Sequence, residues 1–285
     1  MTAEGWQPSD RELERRRLRS RERTRSLVIA SGAMVVVFAG LTVGIARSPG
    51  WPSVHETFFN WEHAKAAFPS ILDGFWINVQ LFLIAEPIIL VLGLAVALAR
   101  QARSPWLAPV RVLAVVYTDL FRGIPTLLLV ILFAFGMPSL GLQGVPNSLF
   151  FWSLVALVSS YGAYVAEVFR SGIESVHPSQ VASAEALALS RTQTMRYVAV
   201  PQAVRRVVPP LLNDFVSLQK DTALVAAVGV FDAVFAAQDY GNFNFNYTPL
   251  VVVAAFFVAM TLPLARLTDW LGRRYAEREF AGAVR

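Results

Sequence analysis

Residues 75–100 read FWINVQLFLIAEPIILVLGLAVALAR, and from 81 to 99 this stretch carries one charged side chain, Glu86. A helix needs about 20 mainly apolar residues to cross the hydrocarbon core of a bilayer. The stretch therefore predicts a membrane-spanning helix. Four further apolar runs approach or exceed that length, at 27–46, 123–137, 148–166 and 248–265.

A sixth segment, 210–238, is long enough to span a bilayer but is polar in its first half. The composition agrees with a membrane protein, because 55% of the 285 residues are hydrophobic and only 16% are charged. Soluble domains usually carry about 25% charged residues. We predict an all-α polytopic membrane protein with six transmembrane helices.

The basic residues are distributed unevenly along the chain. Of its 25 Lys and Arg residues, 21 fall in the N-terminal tail, in one set of alternate loops or at the C-terminal end. The opposite loops hold only Arg47 and Lys65. Short loops rich in Lys and Arg stay in the cytoplasm. Both termini are therefore predicted to be cytoplasmic, and the net charge of +5 does not indicate a nucleic-acid partner.

The first apolar run could belong to a cleaved signal peptide or to an uncleaved helix. It has about 20 residues, whereas a signal core has about 7–15, which favours an uncleaved helix. The charged residues before it predict a cytoplasmic tail that is disordered or loosely helical. The chain has no cysteine, which excludes disulfides and thiolate metal sites. Its three scattered histidines predict no metal centre.

The predicted organisation follows from these spans and loops. The segments are a basic tail 1–26, an N-terminal helix 27–46, an extracytoplasmic linker 47–71, a main membrane domain 72–275 and a cytoplasmic tail 276–285. Within the main domain the predicted spans are about 75–99, 112–137, 148–169, 210–238 and 248–270, with a cytoplasmic loop 170–209. We find no internal repeat and no pair of broken helices in the sequence.

The cytoplasmic loop contains ALALSRTQTMRYVAVPQAVRRVVPP (186–210), which interrupts the apolar pattern. Pro178 suits the first turn of a helix. Pro201 is expected to end any helix through 191–199, and Pro209–Pro210 are expected to start the next span. The pattern predicts a short surface helix, although an ordinary loop would have a similar composition. The residues expected on one face of the helix are Val181, Ala184, Leu187 and Ala188.

The loop resembles that of permease subunits of ABC importers, specifically the polar amino acid uptake family. The similarity runs in order over about 72–275, and FRGIP (121–125) and AYVAEVFRSGIESV (163–176) extend it upstream of the loop. The residues that match the family pattern are Gln180, Leu187, Leu189, Ser190, Gln193, Thr194, Pro201, Gln202, Ala203, Arg205, Pro209, Pro210, Lys220, Asp221, Thr222, Gly229 and Val230.

The resemblance implies a five-helix type I importer core with one extra N-terminal helix, in the bacterial cytoplasmic membrane. It also implies three partners: cytoplasmic ABC ATPase subunits, a second permease subunit (identical or related) and an extracytoplasmic substrate-binding protein. The chain contains no G-x-x-x-x-G-K-[ST] phosphate loop and no nucleophile–base set. We therefore predict a transport subunit that is not an enzyme and binds no cofactor, with ATP and Mg used by the partner ATPase.

In the family the short cytoplasmic helix docks in a cleft of the ATPase. The corresponding residues here are Gln180, Ala182, Ser183, Ala184, Glu185, Leu187, Ala188, Ser190 and Arg191. Two of them depart from the family pattern, since Ala182 replaces a glutamate and Ala188 a glycine. Alanine is the better helix former, so the helix is expected to be more continuous, and Glu185 and Arg191 could supply substitute contacts.

Ionisable side chains at membrane depth are costly and predict function. In the 210–238 segment a polar stripe of about 120° holds Asn213, Asp214, Ser217, Lys220 and Asp221, at 100° per residue. The predicted site is a midplane site for a zwitterionic amino acid, with cations facing its carboxylate and acids its ammonium. The residues predicted to form it are Asn213, Ser217, Lys220, Asp221, Arg122 and Glu86.

A structural alternative is that Lys220–Asp221 and Asp119–Arg122 only pair with each other to hold the bundle. Arg122 is expected at a depth similar to that of Lys220. Glu167, near the cytoplasmic end of its span, is expected to pair with Arg170.

The sequence thus predicts the membrane-spanning permease subunit of an ATP-driven importer, which moves a polar amino acid by alternating access. The alternative is a stand-alone channel or secondary transporter for small polar solutes. A secondary transporter would predict inverted repeats and paired broken helices.

Overall fold

A computed structural model describes residues 10–102, 104–141 and 143–283, and these residues form helices and short connections without a strand. Two compact units, Met1–Glu56 and Thr57–Arg285, divide the chain. The α-helices are α1 Asp10–Ala46, α2 Trp51–Phe58, α3 Trp61–Arg100, α4 Ala108–Gly123, α5 Thr126–Ile131, α6 Met137–Ser139, α7 Leu149–Glu174, α8 Pro178–Ala186, α9 Arg191–Thr194, α10 Val200–Asp221, α11 Ala233–Asn244 and α12 Thr248–Ala283. Short 3₁₀ segments cover Pro105–Leu107 and Thr222–Val228, and π-helical turns cover Leu132–Gly136 and Met195–Ala199.

In the first unit, α1 runs without a break from Asp10 to Ala46. From residue 10 onward the predicted basic tail is therefore helical and continuous with the first apolar run. Residues 1–9 lie outside the described part of the chain. The apolar portion, Thr24–Ala46, is long enough to cross a membrane.

The described residues contain four helices that could cross a membrane, or six if each of two bent helix pairs is one span. The four are Thr24–Ala46, Trp51–Arg100, Leu149–Glu174 and Thr248–Arg274. The pairs are Pro105–Gly123 with Thr126–Ser139, bent by 105°, and Thr192–Val228 with Ala233–Asn244, bent by 43°. The prediction of six spans is compatible with this range and stays a prediction.

The sequence showed no pair of broken helices, whereas the structure contains two helix pairs that bend at short breaks. In the first bent pair, Ile124 is extended (φ −100°, ψ 130°), as the residue before a proline prefers. The helix therefore ends at Gly123 and restarts after Pro125, inside the predicted span 112–137. In the second pair Gly229 has φ 87°, a left-handed conformation that glycine adopts without a steric penalty.

Pro201 does not end the helix, contrary to the sequence-based expectation. One helix runs over Thr192–Val228, and the π turn Met195–Ala199 comes just before the proline. A proline ring clashes with the carbonyl four residues earlier and removes one hydrogen bond. The wider i→i+5 turn changes that spacing. Pro209 and Pro210 also lie inside α10 rather than at its start.

The core of the second unit is formed mainly by α3, α7 and α10. Its fully buried side chains include Leu81 and Ile89 of α3, Leu157 of α7 and Leu218 of α10. A smaller apolar cluster joins α3 to α11 and α12. There α3 approaches so closely that a Cβ on Gly74 would lie 2.5 Å from the backbone of Asp232.

The predicted extracytoplasmic linker is mostly helical, because α3 already begins at Trp61. Two hydrogen bonds, each donated by a backbone N–H, join this region to the start of α12. The N–H of Tyr247 donates to the carbonyl of Thr57 at 2.8 Å, and the N–H of Asn60 donates to Thr248 Oγ1 at 3.0 Å. The connection after α11 is thereby held beside the beginning of α3.

Candidate translocation and coupling sites

A cluster of charged residues joins the ends of three helices around Glu167 of α7. Arg100, the last residue of α3, donates to Glu167 at 2.9 Å, and Arg122 near the end of α4 lies 3.9 Å away. Arg170 binds Glu167 and Glu174 on its own helix. The expected pairing of Glu167 with Arg170 is present. We call these five residues the Glu167 cluster.

Arg122 belongs to this cluster and forms no ion pair with Asp119 among the described residues. Its guanidinium lies 5.8 Å from the ring centroid of Tyr164. One helical turn earlier in α7, Tyr161 donates to Asp221 Oδ2 at 2.8 Å. A turn of α-helix rises about 5.4 Å, so α7 places Arg122 and Asp221 at neighbouring depths.

Among the described residues, the charged side chains of the polar stripe on α10 form no ion pairs with each other. Within the described chain, Lys220 is exposed and forms no ion pair with Asp221. Asp214 has a buried Oδ2 atom that no described group hydrogen-bonds. The structural alternative, in which Lys220–Asp221 and Asp119–Arg122 pair only with each other, does not match these contacts.

The structure does not bring all six predicted path residues into one cavity. Glu86 lines an apolar cleft of about 440 Å³ with Phe215 and several leucines. Asn213 lines a separate cavity of about 310 Å³ with Asp269 and Arg273. Ser217 is half-buried on α10. The two cavities share Leu212 and Thr268, so they lie on adjacent sides of the α10–α12 contact.

Sequence reasoning missed a buried polar cluster behind the stripe. Asn78 Nδ2 donates to Asp232 Oδ2 at 2.9 Å, and Asp232 caps α11 by accepting from the N–H of Phe235 at 2.8 Å. The N–H of Ala233 donates to Asn78 Oδ1 at 3.2 Å. Asn78 and Asp232 are both buried, and Asp232 follows the helix break at Gly229. Two signals in the sequence could have indicated this cluster. Asn78 is a lone amide in an apolar run, and Asp232 stands just before an alanine-rich helix, where aspartate is a preferred cap.

At the α8 end of the bundle, the predicted short helix is present. Pro178 is its first residue, as expected, and His177 caps it. Ala184 is buried and Leu187 is 77% exposed, so the predicted common face of Val181, Ala184, Leu187 and Ala188 is not formed. The side chain of Arg191 lies outside the described part. The exposed predicted coupling residues are Gln180, Ala182, Ser183, Glu185, Leu187, Ala188 and Ser190.

The expectation of a more continuous helix at Ala188 was wrong. α8 ends at Ala186, and Ala188 has φ 58°. The N–H of Leu189 donates to the Ala184 carbonyl and that of Ala188 to the Glu185 carbonyl, the pattern of a Schellman helix end. These two bonds satisfy terminal carbonyls and hold alanine where glycine is favoured.

Long apolar helices, bent spans and charged side chains along them define a polytopic membrane protein of a transport type. Residues 102–277 match the family described as the inner membrane component of binding-protein-dependent transport systems. The chain belongs to this family.

Two relatives and one solved structure show the same similarity. The probable glutamine ABC transporter permease protein GlnM of Bacillus subtilis is 31% identical over 208 residues, which cover 73% of this chain and 94% of GlnM. The arginine transport system permease protein ArtQ of Bacillus subtilis is 30% identical over 69% of this chain and 88% of ArtQ. The crystal structure of an amino acid ABC transporter with histidines shares 29% identity and a TM-score of 0.68, over 75% of this chain and 98% of that one. The resemblance drawn from the sequence is confirmed.

Proposed function

We propose that this chain is the permease subunit of an ATP-driven importer that carries a polar amino acid across the bacterial cytoplasmic membrane. Both termini lie in the cytoplasm, where α8 engages a separate ABC ATPase. That subunit binds and hydrolyses ATP with Mg, and the permease itself binds no cofactor. A second permease subunit completes the path. The names of the relatives support an amino acid as the substrate.

The observation that carries this proposal is the position of α8 between α7 and α10. Its outward side chains are exposed, while its neighbours are tightly joined. Arg206 of α10 donates to the carbonyl of Ser175, just past α7. A Cβ on Gly172 would lie 2.1 Å from Val207 Cγ1, so α7 and α10 are in close contact. Since α8 contacts the turn Met195–Ala199, which continues into α10, a push on α8 is passed to α10 and through it to α7.

The candidate substrate groups lie on α10, which carries Lys220 and Asp221, and on α4, whose Arg122 contacts α7. Tyr161 and Asp221 join α7 to α10, and Arg122 lies beside Tyr164, one turn along α7. A zwitterionic amino acid needs a cation for its carboxylate and an acid for its ammonium. Lys220, Arg122 and Asp221 supply both signs without being locked to each other. Alternating access then exposes these groups first to one side and then to the other.

An exposed aromatic patch supports docking of an extracytoplasmic binding protein. It comprises Phe58, Phe59, Trp61, Phe243 and Phe245, which are 38–85% exposed. The patch lies at the beginning of α3, opposite the end that carries the Glu167 cluster. Large aromatic side chains are enriched at protein interfaces. The Tyr247–Thr57 and Asn60–Thr248 contacts hold the patch in place.

Detergent co-purification with the ATPase encoded beside this chain tests the proposal. The variants are the wild type, a replacement of residues 180–190 by a Gly/Ser linker, and, as a control, a replacement of the exposed residues 242–245 by Gly/Ser. We expect stoichiometric ATPase with the wild type and with the 242–245 replacement, and none with the 180–190 replacement. Absence of ATPase from every sample would contradict the proposal.

A further inference from the structure

Helix α1 carries an arginine-rich extension on the N-terminal side of its apolar run. The helix continues without a break from Asp10 to Ala46, and the uncharged run within it covers residues 27–46. Residues 102–277 match the family model, so α1 lies outside the matched region. The function proposed above gives the extension no role.

The positive charge of the extension is concentrated beside the apolar run. Residues 18–25, which we call the proximal segment, hold four arginines and one glutamate, a net charge of +3. Residues 10–17, the distal segment, hold four arginines and three acidic residues, a net charge of +1. Arg19 and Arg25 of the proximal segment are exposed and form no ion pair with a described residue. The proximal segment therefore carries most of the uncompensated charge.

Helix geometry places the proximal segment at the level of the lipid headgroups. At about 1.5 Å per residue, the run 27–46 is about 30 Å long, the thickness of the hydrocarbon core of a bilayer. On a helix that stands across the bilayer, Arg25 and Arg19 lie about 3 and 12 Å beyond the core, and the distal arginines about 15–24 Å beyond it. The headgroup region is about 5–8 Å thick on each side, and charges are screened over about 8–10 Å. The proximal segment therefore meets the headgroups, whereas the distal segment extends largely beyond their field.

The composition of the extension favours a partner that is recognised by charge. Residues 10–25 contain two large apolar residues, Leu13 and Leu18, and no aromatic residue. A helix that lies in the membrane surface needs an apolar face, and single-stranded nucleic acids stack on aromatic side chains. The extension has neither feature. Basic clusters directly beside a membrane-spanning helix attract anionic phospholipids.

We propose that the proximal segment of α1 binds the headgroups of anionic phospholipids and gathers these lipids around the helix. The guanidinium group of arginine donates to phosphate oxygens, often through two parallel hydrogen bonds. That the lipids belong to the cytoplasmic leaflet rests on the proposed function. Headgroup binding itself requires only that α1 crosses the bilayer.

The test measures which lipids surround α1 in the full chain. Because the chain has no cysteine, a fluorophore attaches at a single site in Ser26→Cys, beside the proximal segment, or in Ser48→Cys, just past the other end of α1. Both serines are exposed. The protein is placed in phosphatidylcholine nanodiscs that contain a minor fraction of brominated phosphatidylglycerol or of brominated phosphatidylcholine. Contact quenching then reports the local concentration of each lipid.

We expect phosphatidylglycerol to be enriched at least about tenfold over phosphatidylcholine at Ser26→Cys, the effect of two or more arginines near the surface. The enrichment should be weaker at Ser48→Cys, which lies beside the single Arg47. Raising the salt to about 1 M shortens the screening length to about 3 Å, so the enrichment at Ser26→Cys should fall.

Charge variants of the Ser26→Cys protein locate the effect within the extension. Glutamine at all four proximal arginines should lower the enrichment at least about fivefold. Glutamine at the four distal arginines is the matched control and should change it less than about twofold. Lysine at the four proximal positions keeps the charge and should keep the enrichment, so a loss caused by misfolding would appear there too. The proximal changes are made at Arg19, Arg21, Arg23 and Arg25, and the distal changes at Arg11, Arg15, Arg16 and Arg17.

Three results would overturn the inference. They are equal enrichment at the two labels, equal effects of the proximal and distal glutamine variants, and a lysine variant that behaves like the proximal glutamine variant. The nanodiscs contain neither the ATPase nor the binding protein, so failure of this test leaves the proposed function standing. Failure of ATP-driven uptake would equally leave headgroup binding standing.

Discussion

Glu167 is half-buried in α7, with its side chain 24% exposed, and it receives arginines from three helices. Arg100 also donates to Thr118 of α4 at 3.0 Å, so the same cation links α3, α4 and α7. A carboxylate that serves several cations is harder to replace than one with a single partner, because its loss leaves several charges without compensation.

We expect Glu167→Gln to lower the free energy of unfolding by about 1–2 kcal/mol, since it weakens several charge-assisted hydrogen bonds at once. Thermal unfolding in detergent measures this change. Glu174→Gln is the control, because the Glu174 side chain is 56% exposed and pairs with Arg170. Its effect should stay below about 0.5 kcal/mol, and equal effects of the two variants would contradict the central role given to Glu167 within the cluster.

Ala188→Gly should stabilise the chain by about 1 kcal/mol. Ala188 has φ 58°, where a Cβ is strained and glycine is not. The midpoint of thermal unfolding should therefore rise. In the control Ala182→Gly, the glycine enters the interior of α8 and should destabilise by about 1 kcal/mol. A lower midpoint for Ala188→Gly would show that Ala188 is not strained.

For single residues, the sequence predicted the roles of side chains whose partners lie close to them along the chain. Pro178 at the start of α8 and the Glu167–Arg170 pair, three residues apart, are examples. It did not predict the left-handed Ala188, because helix propensity favours continuation through alanine while the two Schellman bonds end the helix. Arg100 and Arg122 were also missed as partners of Glu167, since 67 and 45 residues separate them from it.

Among the described glycines, Gly74 makes the closest approach to backbone, where α3 meets the break at residues 229–232. Gly74→Ala would place a Cβ 2.5 Å from the backbone of Asp232. Since backbone cannot move aside as a side chain can, we expect a loss of about 1–3 kcal/mol or more. Thermal unfolding and the yield of monodisperse protein measure it.

Gly272→Ala is the matched control for that change, because Gly272 lies within α12 and no atom lies within 4 Å of its added Cβ. It should be neutral or stabilise the helix by up to about 1 kcal/mol. If both glycine variants behave alike, the close approach of α3 to Asp232 does not exist.

The presence of most helices could be predicted from apolar run length, whereas their bends and ends could not. Hydropathy over 112–137 is continuous, yet Ile124 and Pro125 divide it into two helices. Conversely, the sequence predicted that a helix would end before Pro201, whereas the observed helix continues through Pro201 by means of a π turn. Both outcomes depend on which carbonyl the proline ring meets, and an apolar pattern contains no information on that.

In the whole molecule, the proposed function requires ATPase docking at the α8 end and binding-protein docking at the aromatic patch. Phe245 is 85% exposed and has φ 51°, a conformation that asparagine tolerates better than phenylalanine. Phe245→Asn should therefore keep or raise the melting temperature while lowering uptake stimulated by the binding protein several-fold.

Trp106→Asn is the control for the patch, since Trp106 is 92% exposed and follows the opposite end of α3. It should leave binding-protein stimulation unchanged. A Phe245→Asn protein with full stimulation, or a Trp106→Asn protein that loses it, would place the docking surface elsewhere.

The candidate path was only partly predictable at this scale. The stripe on α10 could be derived from helical periodicity, but its partner Tyr161 comes from α7 and was not foreseen. The contact between Arg122 of α4 and Tyr164 of α7 was not foreseen either. The six predicted path residues also divide among separate surfaces, because side chains on one stripe face different neighbours as α10 passes α7, α3 and α12.

Uptake into proteoliposomes tests the central claim most directly. The chain is reconstituted with its ATPase, the binding protein is added outside and ATP is enclosed inside, with labelled glutamine, arginine, histidine and glutamate offered in turn. We expect concentrative uptake of at least one amino acid that requires both ATP and the binding protein. Equal uptake by the chain alone, without ATPase or ATP, would contradict the proposed function and indicate a channel or secondary transporter.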